Sequence, residues 1–275
     1  MKKIAIIPNI LRDKDYNGTK EIIQLIKQKN IMVVADKSLE KHNLDVDYVD
    51  IGTYTDIDMV VIIGGDGTIL SYGKNYINTD IPILGINYGH TGFLTELEKG
   101  DLKGLESIIS GNYSVEKRPI IEVEHLGRKY YTINEVAIHR GISPKMLDID
   151  IIIDKVTMNQ YKADGIIVAT SSGSTAYSLS SGGPIIDPSL NAFVVTPVCP
   201  RNGNIRSVVV LNDAEIMIKL NDSDMHTFSV DGKLIAEIKG DDEIVIRKGG
   251  YFNTVIRSEN SFYKKLKTKI FEKDF

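Results

Sequence analysis

The sequence predicts an α/β domain followed by a largely antiparallel β domain. In the first hundred residues, short apolar runs alternate with stretches whose apolar residues have helical spacing. One run, residues 59–63, is apolar throughout, which is typical of a parallel strand that helices cover on both faces. After Gly111 the apolar runs lie close together with few helices between them, which is typical of antiparallel sheets. The fold class is therefore α/β plus all-β, with a doubly wound N-terminal domain.

The N-terminal part alternates between strands and helices. A helix is predicted over residues 19–29, because Ile22, Ile23 and Ile26 fall on one face. Another helix is predicted directly after a glycine turn that follows the third strand. Strands are predicted at residues 3–7, 31–35, 59–63 and 83–86. In doubly wound sheets ligands bind at the carboxyl ends of the strands, which is where this glycine turn falls.

The C-terminal part consists of short β runs joined by turns. Leu126-Gly127 and Asp231-Gly232 each separate two runs, and a pair such as Asp-Gly favours the type I′ turn of a hairpin. The β runs are predicted at residues 114–124, 129–139, 147–153, 166–169, 193–196, 207–211, 214–220, 226–230, 234–238 and 243–247. A final helix is predicted at 259–271. The predicted domains are an α/β domain at 1–112, a β-rich domain at 113–254 and a C-terminal helix within 255–275.

The composition narrows the class of protein and its partners. Of the 275 residues 42% are apolar, which is ample for a core, and the net charge of −4 argues against a general nucleic-acid or anionic-membrane surface. Cys199 is the only cysteine, so no intrachain disulfide can form and a reducing, cytoplasmic location is expected. No apolar stretch is long enough for a signal peptide or a membrane span. Residues 257–275 carry six basic against three acidic residues, which a solvated helix face explains.

The glycine turn, Gly64-Gly65-Asp66-Gly67-Thr68, is the most informative motif in the chain. Glycines let a backbone approach a phosphate closely and leave its N–H groups unobstructed. A carboxylate at the tip can orient or deprotonate a hydroxyl beside those phosphates, so the turn suggests phosphoryl transfer to an alcohol. The alternative is an ordinary strand-to-helix turn in which Asp66 is the N-cap of the helix.

A second polar cluster spans residues 163–183. Its many small hydroxyl residues are not expected in a core, so they could bind a nucleotide while Tyr177 packs against a base. The alternative is a helix start capped by Ser or Thr. Asn134 and Glu135 lie together inside a β pattern, either as exposed and edge positions or as a polar patch that faces a ligand.

Taken together, these motifs resemble those of the NAD kinase family, whose members make NADP from NAD with ATP or polyphosphate. The resemblance covers essentially the whole chain, in family order. It rests on the glycine turn, on residues 85–96 (Gly-Ile-Asn-Tyr-Gly-His-Thr-Gly-Phe-Leu-Thr-Glu) and on Asn134-Glu135. It extends to residues 173–178, to Ser229-Val230-Asp231-Gly232 and to the closing Phe262-Tyr263.

The resemblance implies a role for each matching residue. Asp66 would be the base for the 2′-hydroxyl of the adenosine ribose. The glycine turn, with Gly64, Gly65, Gly67 and Thr68, would bind the phosphates. The residues that would hold the dinucleotide are Phe93, Asn134, Glu135, Asp164, Thr175, Ala176, Tyr177 and Ser180. The resemblance also implies a homodimer or homotetramer and a final helix that packs back on the N-terminal domain.

The ligands expected are NAD and either ATP or polyphosphate. The chain has no P-loop motif and its five histidines are scattered, so Mg²⁺ or another divalent cation is expected to be carried by the nucleotide rather than by a protein cluster. No protein metal site, nucleic acid or membrane is expected. Two other functions stay open on the sequence: a non-catalytic NAD(P)-binding regulator, and a lipid or sugar kinase with the same glycine turn.

Overall fold

The structure is a computed structural model that describes residues 1–52, 54, 56–89, 92–240, 242–257 and 261–272, with only the backbone described at residue 159. The chain divides into two compact units. Unit 1 combines Met1–Lys117 with Phe252–Phe275, and unit 2 is Arg118–Tyr251.

Unit 1 is built on a parallel sheet. Its strands are β1 (Lys3–Pro8), β2 (Met32–Asp36), β3 (Asp47–Val49), β4 (Met59–Gly64), β5 (Pro82–Asn87) and the two-residue β6 (Leu97–Glu98). The order is β5-β4-β1-β2-β3 with all neighbours parallel, and β6 pairs parallel with β5. Its first three helices are α1 (Asn17–Gln28), α2 (Asp66–Tyr72) and α3 (Leu102–Ile109). Every residue of β4 is buried, as expected for a strand between two helical layers.

Unit 2 is an antiparallel β structure in two sheets. Its strands are β7 (Ser114–His125), β8 (Arg128–Thr132), β9 (Glu135–Arg140), β10 (Leu147–Ile153), β11 (Val156–Ala163), β12 (Gly165–Thr170), β13 (Ala192–Val198), β14 (Val208–Leu211), β15 (Ile216–Leu220), β16 (His226–Val230), β17 (Lys233–Ile238) and β18 (Glu243–Ile256). One sheet has the order β14-β13-β12-β9-β16-β17, and in the other β11-β10-β15-β18 are neighbours, with β7 beside β18 and β8. A short helix, α4 (Tyr177–Ser180), follows β12.

The core of unit 2 lies between these two sheets. Ile166, Phe193 and Phe228 of the first sheet belong to the same buried cluster as Ile218 and Ile244 of the second. Alternation of buried and half-buried residues along β10 and β15 places one face of each strand in this core. The strands therefore have the period of two that sheet packing requires.

The last strand and the last helix return the chain to unit 1. Asn253 and Thr254, near the end of β18, pair parallel with the start of β5. The helix α5 (Ser261–Leu266) follows and continues as a π-helical turn, Lys267–Phe271. None of the helices in the described part of the chain is long and apolar enough to cross a membrane.

The predicted fold class is confirmed, with local corrections. The run 129–139 is two strands, β8 and β9, because the backbone N–H groups between them bind a side chain from a distant hairpin instead of a neighbouring strand. Strands β3, β6 and β11 and helix α3 were not predicted, and the last strand continues nine residues beyond 247. Residues 259 and 260 of the predicted final helix lie outside the described residues. The predicted domain bounds, 1–112, 113–254 and 255–275, stay a prediction.

Both hairpin predictions are confirmed. Leu126 and Gly127 have φ of 48° and 73°, and Asp231 and Gly232 have φ of 48° and 70°. Two successive positive φ angles are the mark of a type I′ turn. Asp154 and Lys155, with φ of 49° and 68°, form a further turn of this kind without glycine, which is why sequence gave no signal for it.

Candidate active site

Asp66 lies where β4 ends and α2 begins, and its carboxylate is held by the backbone. Oδ2 accepts a hydrogen bond from the N–H of Phe93 at 2.7 Å, and Oδ1 accepts one from the N–H of Leu94 at 3.1 Å. The N-cap of α2 is Gly65, so the alternative reading of Asp66 as N-cap is wrong. Burial raises the pKa of Asp66, and the two N–H groups act in the opposite direction. The side chain is thus fixed in one orientation as an acceptor.

The glycines around Asp66 have different surroundings. A Cβ on Gly92 would lie 2.5 Å from Asp66 Oδ1 and 2.9 Å from Thr95 Oγ1, so only glycine lets this loop approach the carboxylate. A Cβ on Gly64 would lie 2.4 Å from Thr68 Oγ1. Beside Gly65 and Gly67 no heavy atom of the described residues lies within 4 Å of the position a Cβ would take. Of the three glycines predicted to bind phosphates, two therefore face open space.

The other two site residues predicted in unit 1 make contacts within the protein. Thr68 is buried and its hydroxyl accepts a hydrogen bond from Asn9 Nδ2 at 2.9 Å, which ties α2 to the segment after β1. Phe93 is half-buried, with its ring centroid 6.4 Å from that of Phe262 in α5. His90 and Thr91, which belong to the motif of residues 85–96, lie outside the described residues.

Two lysines of the C-terminal helix lie close to this loop. The ammonium of Lys269 donates to the carbonyl oxygen of Gly92, and that of Lys265 donates to the carbonyl oxygen of Phe93 at 3.5 Å. Both side chains are only 13% exposed. The interpretation of the C-terminal basic residues as a solvated helix face is therefore wrong for these two lysines. Sequence carried no signal for them, because their partners are carbonyl groups more than 170 positions away.

Unit 2 holds the second group of predicted residues. Glu135 at the start of β9 is buried, and its Oε2 has no hydrogen-bond partner among the described residues. Burial, with a smaller contribution from the negative charge of Asp231, raises the pKa of Glu135 to about 7, while the N–H of Tyr177 binds the carboxylate and acts in the opposite direction. A buried carboxylate oxygen without a donor costs free energy, so this atom is suited to a hydroxyl of a ligand.

Asp231 orders this part of unit 2, and it was predicted as a hairpin residue and as part of a family motif, without a role for its carboxylate. Its carboxylate accepts hydrogen bonds from the N–H groups of Ile133 at 3.3 Å and Asn134 at 2.8 Å. The hydroxyl of Thr132 also donates to it. Asn134 is buried by this arrangement. Neither the turn nor the motif predicts these backbone contacts, because the partners lie 98 and 97 positions away in the chain.

The hydroxyl-rich cluster is mostly internal structure. It forms a 3₁₀ turn, Ser172–Thr175, followed by α4. Ser171, Ser174 and Ser178 are completely buried, so the expectation that these residues stay out of the core is wrong for them. Their hydroxyls form hydrogen bonds within the protein instead of with water. For example, Ser174 Oγ donates to the carbonyl oxygen of Ser171 at 2.7 Å.

The predicted ligand-binding residues are those at the surface of this cluster. Thr175 and Ala176 are half-buried, while Tyr177 and Ser180 are exposed. The ring centroid of Tyr177 lies 5.3 Å from that of His139. Asp164 precedes β12 and its carboxylate pairs with Arg140 Nε at 3.1 Å. Six of the thirteen predicted site residues therefore lie in unit 1 and seven in unit 2.

Comparison with known proteins identifies the family. A family model described as the ATP-NAD kinase N-terminal domain matches residues 4–113, and one described as the ATP-NAD kinase C-terminal domain matches residues 133–258. The chain belongs to the NAD kinase family. The NAD kinase of Caldanaerobacter subterraneus is 34% identical over 287 residues, which cover 99% of this chain and 100% of that protein. The NAD kinase of Methanothermobacter thermautotrophicus is 42% identical over 219 residues, 79% of this chain and 77% of that one.

Solved structures of NAD kinases have the same fold. Yeast NADH kinase complexed with NADH superposes with a TM-score of 0.90 at 26% identity, covering 100% of this chain and 89% of that one. An NAD kinase from Archaeoglobus fulgidus in complex with ATP gives a TM-score of 0.75 at 26% identity, covering 97% and 99%. These matches favour a kinase of the NAD kinase type over the two other functions that the sequence left open.

Proposed function

We propose that this member of the NAD kinase family transfers the terminal phosphoryl group of ATP to the 2′-hydroxyl of the adenosine ribose of NAD, with Asp66 as general base. The observation that carries the proposal is the fixed carboxylate of Asp66. Two successive backbone N–H groups hold it at the carboxyl edge of a parallel sheet, beside glycines that face open space. The type of reaction is inferred from the family to which the chain belongs.

The chemistry follows from this arrangement. As the ribose oxygen attacks, its proton passes to the carboxylate of Asp66, a bond forms between that oxygen and the γ-phosphorus, and the bond to the β-phosphate oxygen breaks to release ADP. A positioned base contributes roughly 10²–10⁴-fold to such a reaction. Positioning and neutralisation of phosphate charge supply the rest. The backbone at Gly65 and Gly67, where no side chain of the described residues intervenes, is suited to bind the phosphates.

The unit 2 residues would bind the dinucleotide. The unpartnered Oε2 of Glu135 would accept a hydroxyl of the ligand, and Asn134 beside it would donate from its amide. The exposed ring of Tyr177 offers a flat surface for a base. The further residues proposed for NAD are Phe93, Asp164, Thr175, Ala176 and Ser180, with Gly64 and Thr68 shaping the phosphate turn.

A divalent cation, Mg²⁺ in the simplest case, would enter with the nucleotide. Among the described residues no group of three or more His, Cys, Asp or Glu side chains is arranged to hold a metal ion. Mg²⁺ prefers oxygen ligands and keeps several waters, so the phosphates of ATP can be its main ligands. When bound, it would neutralise negative charge on the transferred group. The same proposal includes polyphosphate as an alternative donor, assembly as a homodimer or homotetramer, and a cytoplasmic location.

The test is NADP formation by the purified protein given NAD, ATP and Mg²⁺, followed with an NADP-specific dehydrogenase. We expect turnover that Asp66→Asn lowers by roughly 10²–10⁴-fold, with the Kd for NAD within about threefold of wild type. Asp80→Asn, at an exposed position of unit 1, is the matched control and should keep full activity. Parallel reactions with NADH and with polyphosphate identify the acceptor and the donor.

Two results would overturn the proposal. Full activity in Asp66→Asn would remove Asp66 as the base. Absence of turnover in the wild type with both donors and both acceptors, despite measurable NAD binding, would leave only a binding function.

A further inference from the structure

Two consecutive peptide groups connect Asp66 to the lysines of the C-terminal helix. In the peptide between Gly92 and Phe93, the carbonyl accepts from Lys269 and the N–H donates to Asp66 Oδ2 at 2.7 Å. In the next peptide, the carbonyl of Phe93 accepts from Lys265 at 3.5 Å and the N–H of Leu94 donates to Asp66 Oδ1 at 3.1 Å. Each peptide group therefore has a cation at its oxygen and the same carboxylate at its nitrogen.

The two lysines are held in place by acidic residues from the same part of unit 1. Lys269 Nζ lies 3.3 Å from Glu98 Oε1, and Lys265 Nζ lies 2.8 Å from Glu96 Oε2. Glu96 is itself anchored, since its buried carboxylate accepts from the N–H of Arg257 at 2.8 Å and from a serine hydroxyl of α5 at 2.6 Å. The cations thus belong to a fixed network and not to mobile surface side chains.

This arrangement affects the carboxylate in two ways. An ammonium at a peptide oxygen polarises the amide, which strengthens the hydrogen bond that its N–H donates. The positive charges also oppose the effect of burial on Asp66, and Lys269 contributes more to this than Lys265. The geometry agrees, because Lys265 is shared with Glu96 and makes the longer contact with its carbonyl.

We propose that Lys269, assisted by Lys265, is a positioning residue for the base: through the peptide groups of residues 92–94 it orients the carboxylate of Asp66 in its proton-accepting form. This inference rests on the proposed function, because it assumes that Asp66 must be ionised to accept the ribose proton. Among the described residues, the charged groups that contact these two peptides are Asp66 from α2 and the two lysines, and the lysines pair in turn with Glu96 and Glu98 from the segment around β6.

The sign of the expected effect follows directly. Burial raises the pKa of Asp66, and the lysines lower it. Removing the charge of Lys269 therefore raises this pKa further, so a larger fraction of the enzyme is protonated and inactive at acidic pH. The acid limb of the profile of kcat against pH moves to higher pH, while kcat at alkaline pH changes little.

The kinetic test compares three substitutions at saturating NAD and ATP. For Lys269→Met we expect kcat to be at least roughly threefold below wild type on the acid limb of the pH profile and within about twofold of wild type on its alkaline plateau. Lys269→Arg keeps the charge and should restore the profile. Lys267→Met is the matched control, because this lysine of the same helix is 74% exposed and pairs with Glu272. Lys265→Met should shift the acid limb of the profile by less, and it replaces Lys269→Met in the test if that variant does not fold.

A second readout separates the proposal from the function on which it rests. The carboxyl ¹³C resonance of Asp66, assigned with Asp66→Asn, is titrated in wild type and in Lys269→Met without substrates. A titration that moves to higher pH in the variant supports the proposal, and an unchanged titration overturns it. If the carboxyl titration moves but the kinetic profile does not, Asp66 is not the base and the proposed function fails instead. A uniform loss of kcat at every pH with an unchanged titration would indicate a merely structural lysine.

Discussion

At the scale of single residues, Glu135 combines a proposed role in NAD binding with a cost in stability. It is 6% exposed, one oxygen lacks a donor among the described residues, and Asp231 lies close enough to disfavour its charge. Such a group is tolerated where a ligand later supplies the missing hydrogen bonds. At the neighbouring Asn134, by contrast, the backbone N–H already has a partner, because it donates a hydrogen bond to the carboxylate of Asp231.

Glu135→Gln should therefore change the pH dependence of stability. The folded protein keeps the proton of Glu135 up to a pKa of about 7, whereas the unfolded chain loses it near 4.5. Stability contributed by this group is thus present at low pH and declines as pH rises from about 4.5 to 7. We expect the variant to lack this decline, so that its free energy of unfolding at pH 8 exceeds that of wild type by up to about 3 kcal/mol.

Urea unfolding at pH 4.5, 6 and 8 measures the effect. Glu237→Gln, at an exposed position of β17, is the control and should stay within about 0.5 kcal/mol of wild type at each pH. The KM for NAD should rise in Glu135→Gln, because a neutral amide accepts ribose hydroxyls less strongly than a carboxylate. Equal pH slopes in the two proteins would contradict the raised pKa of Glu135.

At the scale of elements, the start of α2 carries two glycines of the proposed phosphate site, at the expense of helix propensity. Gly65 is its N-cap and Gly67 lies in its first turn, although other residues are better helix formers. Among the described residues, neither glycine has a close neighbour that would exclude a methyl group. Gly92 is different, because there the carboxylate of Asp66 already occupies the space that a Cβ would need.

Gly67→Ala should therefore separate stability from activity. We expect the free energy of unfolding to rise by up to about 1 kcal/mol, since alanine favours the helix and open space receives its methyl group. The KM for ATP should rise, because the methyl group occupies the surface proposed for phosphate. Gly52→Ala, whose methyl group would make an ordinary contact at 3.7 Å with Asp50, is the control and should leave the kinetics unchanged. Unaltered ATP kinetics in Gly67→Ala would place the phosphates elsewhere.

At the scale of the whole molecule, unit 1 is completed by the end of the chain. Phe252 and Val255 are buried, and the strand that contains them pairs with β5. The helix α5 and the π-helical turn that follow have no buried residue, yet Lys265 in the helix and Lys269 in the turn contact the loop beside Asp66. The C-terminal segment thus contributes apolar residues to the core before residue 257. After residue 257 it contributes charged residues that lie close to the loop beside Asp66.

Truncation after Arg257 should consequently cost activity more than stability. We expect the free energy of unfolding to fall by less than about 2 kcal/mol, because no fully buried side chain of α5 is lost. The kcat should fall by at least roughly 100-fold, since the loop beside Asp66 loses both lysines and also Phe262, whose ring packs against that of Phe93. Thermal melts and NADP formation measure the two effects. A truncated chain that fails to fold would assign the last helix to the core instead.

The fold class, the type I′ hairpins and the family motifs could all be predicted from the sequence without the structure. Apolar periodicity, Asp-Gly pairs and the glycine turn are local, and a few neighbouring residues are enough to specify the geometry that each of them adopts. That is why Asp66 could be singled out before any contact was known. The strand break after β8 was missed, because Ile133 looks like any other strand residue until Asp231 binds its N–H.

The tertiary structure alone decided what surrounds those motifs. Lys269 meets the carbonyl of Gly92, and Asp231 meets the N–H of Asn134, only because the fold brings distant segments together. Serine hydroxyls that look like surface chemistry become buried once carbonyl groups are within reach, as for Ser174. Contacts between residues that are far apart in the chain produce no periodicity and no fixed spacing in the sequence. Their contribution, which fixes the charge and orientation of the site, therefore emerges only from the folded chain.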